Sequence, residues 1–348
     1  MEYYETIIVG AGPAGSTCAR KLAQAGRSVL MLDKATFPRL KLCAGWVTGE
    51  VWRDLEMTPS EYPHSLLQLS TRLYISPFPF ALMPWPTRWV NYSIRRIEFD
   101  QWLVERSGVG VRQHQVNHID YQDGTYIIDG QLACTYLIGA GGTGCPVRRQ
   151  FFPRQRPPED QIVALEQEFY YPDRDGIARY FCFERGLAGY SWYIPKGDGY
   201  LNLGLGGFNR YFQGSSLSIH DHFQAFLKDL VRRRLLSPEV ADQLRPAGYS
   251  YYLASGQGPV KQDRCWLIGD SAGLATLDLG EGISPAIKSG LLAAGEVLGE
   301  TVYTRETIFN RSLRPGWQWL RGFLPRYSPS PQQRGEDQPE PLARPNFH

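Results

Sequence analysis

Hydrophobic residues near the start of the chain follow three patterns in succession. Residues 6–9 are a short, mostly apolar run, which is typical of a buried parallel strand. Over residues 13–25 the apolar side chains recur every three or four positions, so this stretch predicts a helix. Residues 28–33 are again mostly apolar and predict a second buried strand. The order strand, helix, strand predicts a β-α-β unit with parallel strands.

The same patterns return later in the chain. A helix is predicted to begin at Arg96, and a strand is predicted over residues 111–119. Another strand is predicted over residues 264–270, followed by a helix between residues 280 and 290. Together with the first unit, these elements predict a parallel sheet covered by helices.

Two stretches, residues 66–92 and 151–261, do not continue this alternation. Four strands are predicted in the second stretch, over residues 162–170, 177–184, 189–195 and 200–207. Turn signals separate some of these strands, so we expect a mostly antiparallel sheet. The predicted fold class is therefore α/β, with a Rossmann-like domain built on a parallel sheet and interleaved with a mostly antiparallel β-sheet domain.

Composition agrees with a globular protein and excludes several classes of function. The 348 residues suffice for one large or two interleaved domains, and 43% of them are hydrophobic. A net charge of +2 without a long run of Lys or Arg indicates no nucleic-acid partner. The six cysteines contain no CxxC pair, so we expect no disulfides, no metal site and reduced thiols in the cytoplasm. We also expect no signal peptide, and no apolar run reaches the length of a membrane-spanning helix.

A glycine motif lies between the first strand and the first helix. Gly10 permits a tight turn, Gly12 lets a pyrophosphate approach the backbone, and Gly15 lets helix and strand pack closely. Free N–H groups at the start of the helix bind phosphate. Asp33 ends the second strand, where a carboxylate accepts a ribose hydroxyl. These residues predict a dinucleotide site and leave FAD and NAD as alternatives.

Five further segments resemble motifs of the geranylgeranyl reductase family, a group of FAD enzymes with the p-hydroxybenzoate hydroxylase-like fold. They are R-x-x-F-D-x-x-L at 96–103, Gly-Asp at 269–270, Gly-Glu-Gly-Ile at 280–283, a segment like K-x-C-G-G at 41–45 and one like Y-x-W-x-F-P at 190–195. The resemblance implies FAD as the cofactor. Since the sequence contains no second GxGxxG, we expect no dedicated NAD(P)H domain, and the electron donor stays open between NAD(P)H and another reductant.

The resemblance also implies which residues contact FAD. Arg96 would contact the phosphates or the ribityl chain, the backbone at Val116 the adenine, and Asp270 the ribityl hydroxyls. The start of the helix predicted between residues 280 and 290 would face the isoalloxazine ring, where a helix N-terminus stabilises negative charge. The complete predicted set is Gly10, Gly12, Pro13, Ala14, Gly15, Asp33, Lys34, Cys43, Ala44, Gly45, Arg96, Val116, Asp270, Gly280, Gly282 and Ile283.

One position departs from the family pattern. A strand-end motif that commonly reads G-A-D-G in the family has Gly141 where the aspartate would stand. In the related hydroxylases this aspartate helps to hold both FAD and NAD(P)H. Its replacement by glycine favours a reductase over a hydroxylase.

The predicted catalytic residue is Cys43, because its counterpart in the family lies near the isoalloxazine. An exposed, partly ionised thiol is reactive, and Lys41 favours the ionised form; the alternative is a small loop residue without chemistry. Tyr190, Trp192 and Pro195 are predicted to line a lipid pocket, with a plain aromatic sheet core as the alternative. The same segment also resembles the W-x-W-x-I-P motif of flavin halogenases, with Tyr in place of the first Trp.

We expect two interleaved domains and a distinct C-terminal part. The FAD-binding domain is predicted from residues 1–65, 93–150 and 262–300, and the substrate domain from residues 66–92 and 151–261. Residues 301–327 are basic and contain tryptophan, so this predicted helical segment either packs on the protein or lies on a membrane surface. The proline-rich residues 328–348 are predicted to be disordered.

The predicted activity is reduction of carbon–carbon double bonds in an isoprenoid or lipid-like substrate, by hydride transfer from N5 of reduced flavin. One alternative is a flavin-dependent monooxygenase or halogenase. Another is a protein that holds FAD at a membrane surface without catalysis. The sequence leaves the oligomeric state open.

Overall fold

The computed structural model describes residues 1–75, 81–84, 90–153, 157–172, 175–254, 258–277 and 279–308. Most of the predicted C-terminal helical segment at 301–327 and the whole predicted tail at 328–348 lie outside these residues. Within the described part of the chain, no helix has both the length and the hydrophobicity needed to cross a membrane.

The strands of the described residues are numbered in chain order. They are β1 (Glu2–Val9), β2 (Val29–Asp33), β3 (Trp46–Thr48), β4 (Leu67–Ile75), β5 (Ala81–Pro84), β6 (Asn91–Ser93), β7 (Val111–Gln113), β8 (Ile119–Gln122), β9 (Thr125–Ile128), β10 (Leu132–Gly139), β11 (Ile162–Tyr170), β12 (Ile177–Cys182), β13 (Gly189–Pro195), β14 (Tyr200–Phe208), β15 (Ala247–Tyr251), β16 (Lys261–Gln262) and β17 (Cys265–Leu267).

The α-helices of the same residues are α1 (Pro13–Gln24), α2 (Gly49–Asp54), α3 (Arg96–Ser107), α4 (Pro146–Phe151), α5 (Asn209–Gly214), α6 (Ile219–Arg232), α7 (Pro238–Gln243), α8 (Ile283–Val297) and α9 (Arg305–Ile308). The predicted first helix is thus confirmed almost to the residue, whereas the predicted last helix begins only at Ile283.

The first sheet is the parallel sheet that the apolar runs predict. Its order is β16-β17-β10-β1-β2-β7, and β17, β10, β1, β2 and β7 run parallel to one another. The hairpin β8-β9 extends it through antiparallel pairing of β9 with β10. Buried aliphatic side chains of β1 and β10, including Ile7, Ile8, Leu137 and Ile138, form the centre of its core.

Helices α1 and α8 pack against each other beside this sheet. A Cβ atom at Gly290 would lie 2.4 Å from the carbonyl oxygen of Ala14, so only glycine permits the two backbones to approach this closely. This contact brings the N-terminal parts of the two helices to the same cleft, whose lining includes Ala14 of α1 and Ala286 of α8.

The prediction of a single strand over residues 111–119 is wrong, because the backbone leaves the sheet after Gln113 and returns at Ile119. The intervening turn is held by the carboxylate of Asp129. It accepts hydrogen bonds from the backbone N–H groups of Asn117 and His118 and lies 2.7 Å from Nε2 of His114. A local apolar pattern cannot reveal acceptors that a later residue supplies.

The second sheet is mostly antiparallel, as predicted. Its order is β15-β11-β14-β13-β12-β4-β6-β3, with β5 paired to β4, and β12-β4 is a parallel pair. Strand β3 lies within the predicted FAD-binding segment 1–65, yet it pairs with β6 in this sheet. Helix α6 covers one face with buried aromatic and leucine side chains, among them Phe223, Phe226 and Leu230.

Candidate cofactor and active site

One cleft of about 620 Å³ collects most of the predicted cofactor residues. Thirteen of the sixteen line it: Gly10, Gly12, Pro13, Ala14, Asp33, Lys34, Cys43, Arg96, Val116, Asp270, Gly280, Gly282 and Ile283. The remaining three are Gly15, inside α1, and Ala44 and Gly45, which directly follow Cys43. A volume of this size is typical of ligand sites.

The start of α1 supplies backbone donors to the cleft. Gly10 has a φ of +111°, and a Cβ atom at Gly15 would lie 1.9 Å from the carbonyl oxygen of Gly10, so both positions require glycine. Among the described residues no side chain caps this helix, and its first turn contains no acidic residue. The first N–H groups of the helix are therefore available to an anion.

Asp33 fixes the turn beside this helix start. Its Oδ2 accepts a hydrogen bond of 2.9 Å from the N–H of Ala11, and its Oδ1 accepts one of 3.0 Å from the N–H of Ala35. The carboxylate is only partly buried and lines the cleft, and Nε of Arg39 lies 3.9 Å from its Oδ2.

Arg96 lies deeper in the cleft and is 7% exposed. Its Nε and Nη2 donate to the two carboxylate oxygens of fully buried Asp100 at 2.7 and 2.8 Å. Burial acts to lower the pKa of Arg96, but the charges of Asp100 and Cys43 outweigh burial and raise it. Arg39 approaches the same carboxylate at 3.3 Å, so the cleft carries two guanidinium groups around one buried acid.

The start of α8 forms the opposite wall. The carboxylate of Glu281 accepts a hydrogen bond of 2.7 Å from the N–H of Ser284, which leaves the N–H groups of Gly282 and Ile283 ahead of the helical hydrogen bonds. Asp270 lies beside them, because a Cβ atom at Gly282 would be 3.4 Å from its Oδ1. The wall thus offers both an acceptor and helix-end donors.

Cys43 lies where the two sheets meet. Its thiol is half-buried, and the Sγ atom accepts a hydrogen bond of 3.3 Å from the N–H of Gly45. Its own N–H donates to Oε1 of Glu166 on β11. The amide of Asn202 on β14 donates to the Cys43 carbonyl at 3.5 Å. Two strands of the second sheet therefore support the loop that carries the thiol.

Two buried charged residues lie behind this loop. Lys196 is 3% exposed and donates to the carbonyl oxygens of Ala44 and Ile94, while Glu166 is 2% exposed. Burial raises the pKa of the Glu166 carboxyl to about 7, although the nearby ammonium of Lys196 opposes the shift. Burial lowers the pKa of Lys196, against the attraction of the Glu168 carboxylate.

The three predicted pocket residues do not line the cleft. Trp192 is buried and donates from Nε1 to Oδ1 of Asn202 at 2.7 Å, which links it to the Cys43 loop. Pro195 is buried and its carbonyl accepts a 2.6 Å hydrogen bond from Ser93. Tyr190 is half-buried and its hydroxyl donates to the carbonyl oxygen of Leu279, next to Gly280. Their role as a substrate pocket stays a prediction.

Sequence reasoning did not identify Glu166, Lys196, Tyr249 or Tyr251. Tyr249 and Tyr251 belong to β15 and line the cleft together with Cys43. The sequence around Glu166 does contain a signal, because the acidic residue directly follows the apolar run Ile162, Val163, Ala164 and Leu165 at the start of β11. An acidic residue in a buried apolar strand indicates a buried partner. The two tyrosines carry no such local signal.

The geometry at Gly141 explains why a larger residue is disfavoured there. A Cβ atom at this position would lie 3.2 Å from Cα and 3.3 Å from Sγ of Cys145. Aspartate would therefore require movement of the turn that leads into α4. This turn is also tied to the second sheet, because the Thr143 hydroxyl donates to the Ser250 carbonyl at 2.8 Å.

Sequence comparisons agree with the geometry of the cleft. The family described as an NAD(P)-binding Rossmann-like domain matches residues 8–41. An uncharacterized protein of Methanosarcina barkeri is 30% identical over 89% of this chain and 78% of its own length. A digeranylgeranylglycerophospholipid reductase of Methanopyrus kandleri is 26% identical over 92% of this chain and 83% of its own length.

Structural comparisons agree on the fold. A geranylgeranyl bacteriochlorophyll reductase-like protein of Thermoplasma acidophilum superposes with a TM-score of 0.70 at 20% identity, covering 88% of this chain and 82% of that one. A myxobacterial FAD-dependent chondrochloren halogenase superposes with a TM-score of 0.66 at 20% identity, covering 88% and 78%. At this level of identity both similarities concern the fold alone.

Proposed function

Because this chain belongs to the geranylgeranyl reductase-like family of FAD-dependent oxidoreductases, we propose that it reduces carbon–carbon double bonds of an isoprenoid or other lipid-like substrate. The observation that carries the proposal is the position of Cys43, half-buried in the cleft beside the aromatic strand β15. The reductase name of the M. kandleri relative supports it.

FAD is the cofactor, and the residues of the cleft fit it. The uncapped start of α1 would hold the pyrophosphate, Asp33 the ribose, and Asp270 with the start of α8 the ribityl chain and ring edge. Arg96 would add positive charge next to the phosphates. When bound, FAD supplies the two-electron chemistry, since a reduced flavin can deliver hydride to an alkene carbon.

The side chains of the cleft would orient the substrate and supply the proton that the reaction needs. Tyr249 and Tyr251 offer aromatic surface next to Cys43. This surface suits an apolar chain and excludes water from the reacting carbons. The second alkene carbon needs a proton from water or from a nearby acid, and Cys43 is the candidate donor within the cleft.

We further propose the domain boundaries given above. We also propose NAD(P)H or another reductant as the electron source, and a peripheral contact of the protein with membrane lipid.

The experiment that tests this proposal follows the flavin and the lipid together. The purified FAD-loaded protein is reduced with dithionite in the absence of oxygen and mixed with a geranylgeranyl lipid, and flavin reoxidation is recorded before mass analysis. We expect reoxidation on addition of lipid and a gain of two hydrogens per double bond. Cys43→Ser should slow reoxidation, whereas Cys182→Ser, which alters the other half-buried thiol, should not.

The alternatives predict different outcomes. A halogenase or monooxygenase, favoured by the similar fold of the chondrochloren halogenase, would require oxygen and would add oxygen or halogen to a substrate. A non-catalytic FAD protein would hold the flavin tightly and leave every lipid unchanged. Either result would contradict the reductase proposal.

A further inference from the structure

We propose that Glu166 is a positioning residue that acts through Cys43. It holds the backbone of the Cys43 loop from beneath and, by gaining or losing one proton, changes how readily the thiol reacts. The proposal rests on the proposed function for the catalytic importance of Cys43. The reactivity of that thiol, however, can be measured without any substrate.

The contact between the two residues is direct. Oε1 of Glu166 accepts a hydrogen bond from the N–H of Cys43, although 123 positions separate them in the chain. The carboxyl group is 2% exposed, and within the described residues its Oε2 has no hydrogen-bond partner. A buried oxygen without a partner is costly when the group is charged, so this site favours a carboxyl that keeps its proton near neutrality.

Several other groups face this carboxyl, and they come from different elements. Lys196 follows β13, Lys41 is on the Cys43 loop, and Asn202 is on β14; each of them favours the charged form of Glu166. From β15, Tyr249 and Tyr251 interact electrostatically with both Glu166 and Cys43. Lys196 in turn faces Glu168 and Arg96. Because these groups oppose burial, Glu166 changes charge near neutral pH rather than at a far more alkaline one.

The charge of Glu166 should reach the thiol in two ways. An ionised carboxylate accepts the Cys43 N–H more strongly than a neutral carboxyl does, so the loop is held more firmly above neutral pH. The same negative charge repels the negative charge of the thiolate, which is the form of Cys43 that reacts with an electrophile. Both effects make Cys43 less reactive beside an ionised Glu166 than beside a neutral one.

The test is site-specific alkylation of the FAD-loaded full-length protein. Iodoacetamide is added from about pH 5 to about pH 9, and peptide mass spectrometry reports the modification rate of Cys43 alone. For the unmodified protein we expect two inflections, one of them near pH 7, where Glu166 titrates. In Glu166→Gln this inflection should disappear, and the rate at alkaline pH should rise by about tenfold.

Glu184→Gln is the matched control, because Glu184 is a partly buried acid that pairs with Arg233 rather than with the Cys43 loop. It should keep both inflections. FAD content and thermal midpoint establish that each variant is folded. If Glu166→Gln does not fold, the number of inflections in the profile of the unmodified protein still tests the proposal. A single inflection in the unmodified protein, or an unchanged profile in a folded Glu166→Gln, would overturn the proposal.

The two proposals fail separately. Alkylation involves no lipid, so a protein that reduces no lipid would contradict the proposed function and leave the effect of Glu166 on Cys43 measurable. Conversely, the protein could reduce lipid while the alkylation profile of Cys43 is the same with and without the Glu166 carboxyl. That result would support the proposed function and contradict the role of Glu166.

Discussion

The two ends of the cleft differ in the groups that form them: backbone N–H groups at one end and buried side chains at the other. The end at α1 consists mainly of backbone N–H groups that closely spaced glycines expose, with Asp33 as its main side-chain anchor. The end at Cys43 depends on buried side chains of the second sheet, of which Glu166 and Lys196 are the most deeply buried charged groups. The first end follows from local sequence, whereas the second exists only after distant strands have paired.

The largest effect is expected at the backbone-built end. Gly15→Ala places a Cβ atom 1.9 Å from the Gly10 carbonyl oxygen, so α1 must move away from the turn. We expect a loss of at least about 3 kcal/mol in the free energy of unfolding and loss of bound FAD, measured by denaturation and by flavin absorbance. Gly110→Ala, where a Cβ atom meets nothing within 4 Å, should retain both.

The second effect belongs to the side-chain end and appears as pH dependence. Since the pKa of Glu166 is about 7 in the folded protein and its ordinary value is 4.5, the folded state binds this proton more tightly than the unfolded state. This proton therefore stabilises the folded state by up to about 3 kcal/mol of unfolding free energy. The contribution is complete below about pH 4.5, decreases as the pH rises and is lost above about pH 7. Urea titrations at several pH values should show this slope, and Glu166→Gln should flatten it. An identical slope in the variant would contradict the assignment.

A smaller effect is expected at the turn between the two ends. In Gly141→Asp the new side chain meets Cys145 at 3.2 Å, so the turn must shift by a few tenths of an ångström. We expect a loss of about 1–2 kcal/mol in thermal or chemical denaturation. The control is Gly144→Asp in the same turn, where a Cβ atom meets nothing within 4 Å. Equal losses in both variants would show that the crowding at Cys145 does not limit this position.

The smallest effect on stability is expected from Cys43→Ser. The side chain is half-buried, and a hydroxyl can accept the same hydrogen bond from the N–H of Gly45. We expect a change of less than about 0.5 kcal/mol in stability and full FAD content, together with slower lipid reduction. Loss of FAD from this variant would indicate that Cys43 belongs to the cofactor wall rather than to the reacting centre.

The same contrast explains what could be predicted from sequence. The glycines of α1 and the terminal Asp33 are close in sequence, and their spacing alone dictates a tight turn and a free helix end. The strand predicted over 111–119 fails because Asp129 supplies acceptors from outside that window. Glu166 and Tyr249 could not be placed beside Cys43, because their position depends on the pairing of β11 with β14 and β15.

The order of strands in the first sheet has a consequence for protein synthesis. Strand β1 pairs on one side with β2, which follows it closely in the chain, but its other neighbour, β10, is synthesised much later, and β10 in turn pairs with β17. The cleft also needs Gly282 and Ile283, near the end of the described residues. A nascent chain therefore cannot complete the cofactor cleft until translation has passed residue 283, and β1 lacks its second neighbour until β10 has been synthesised.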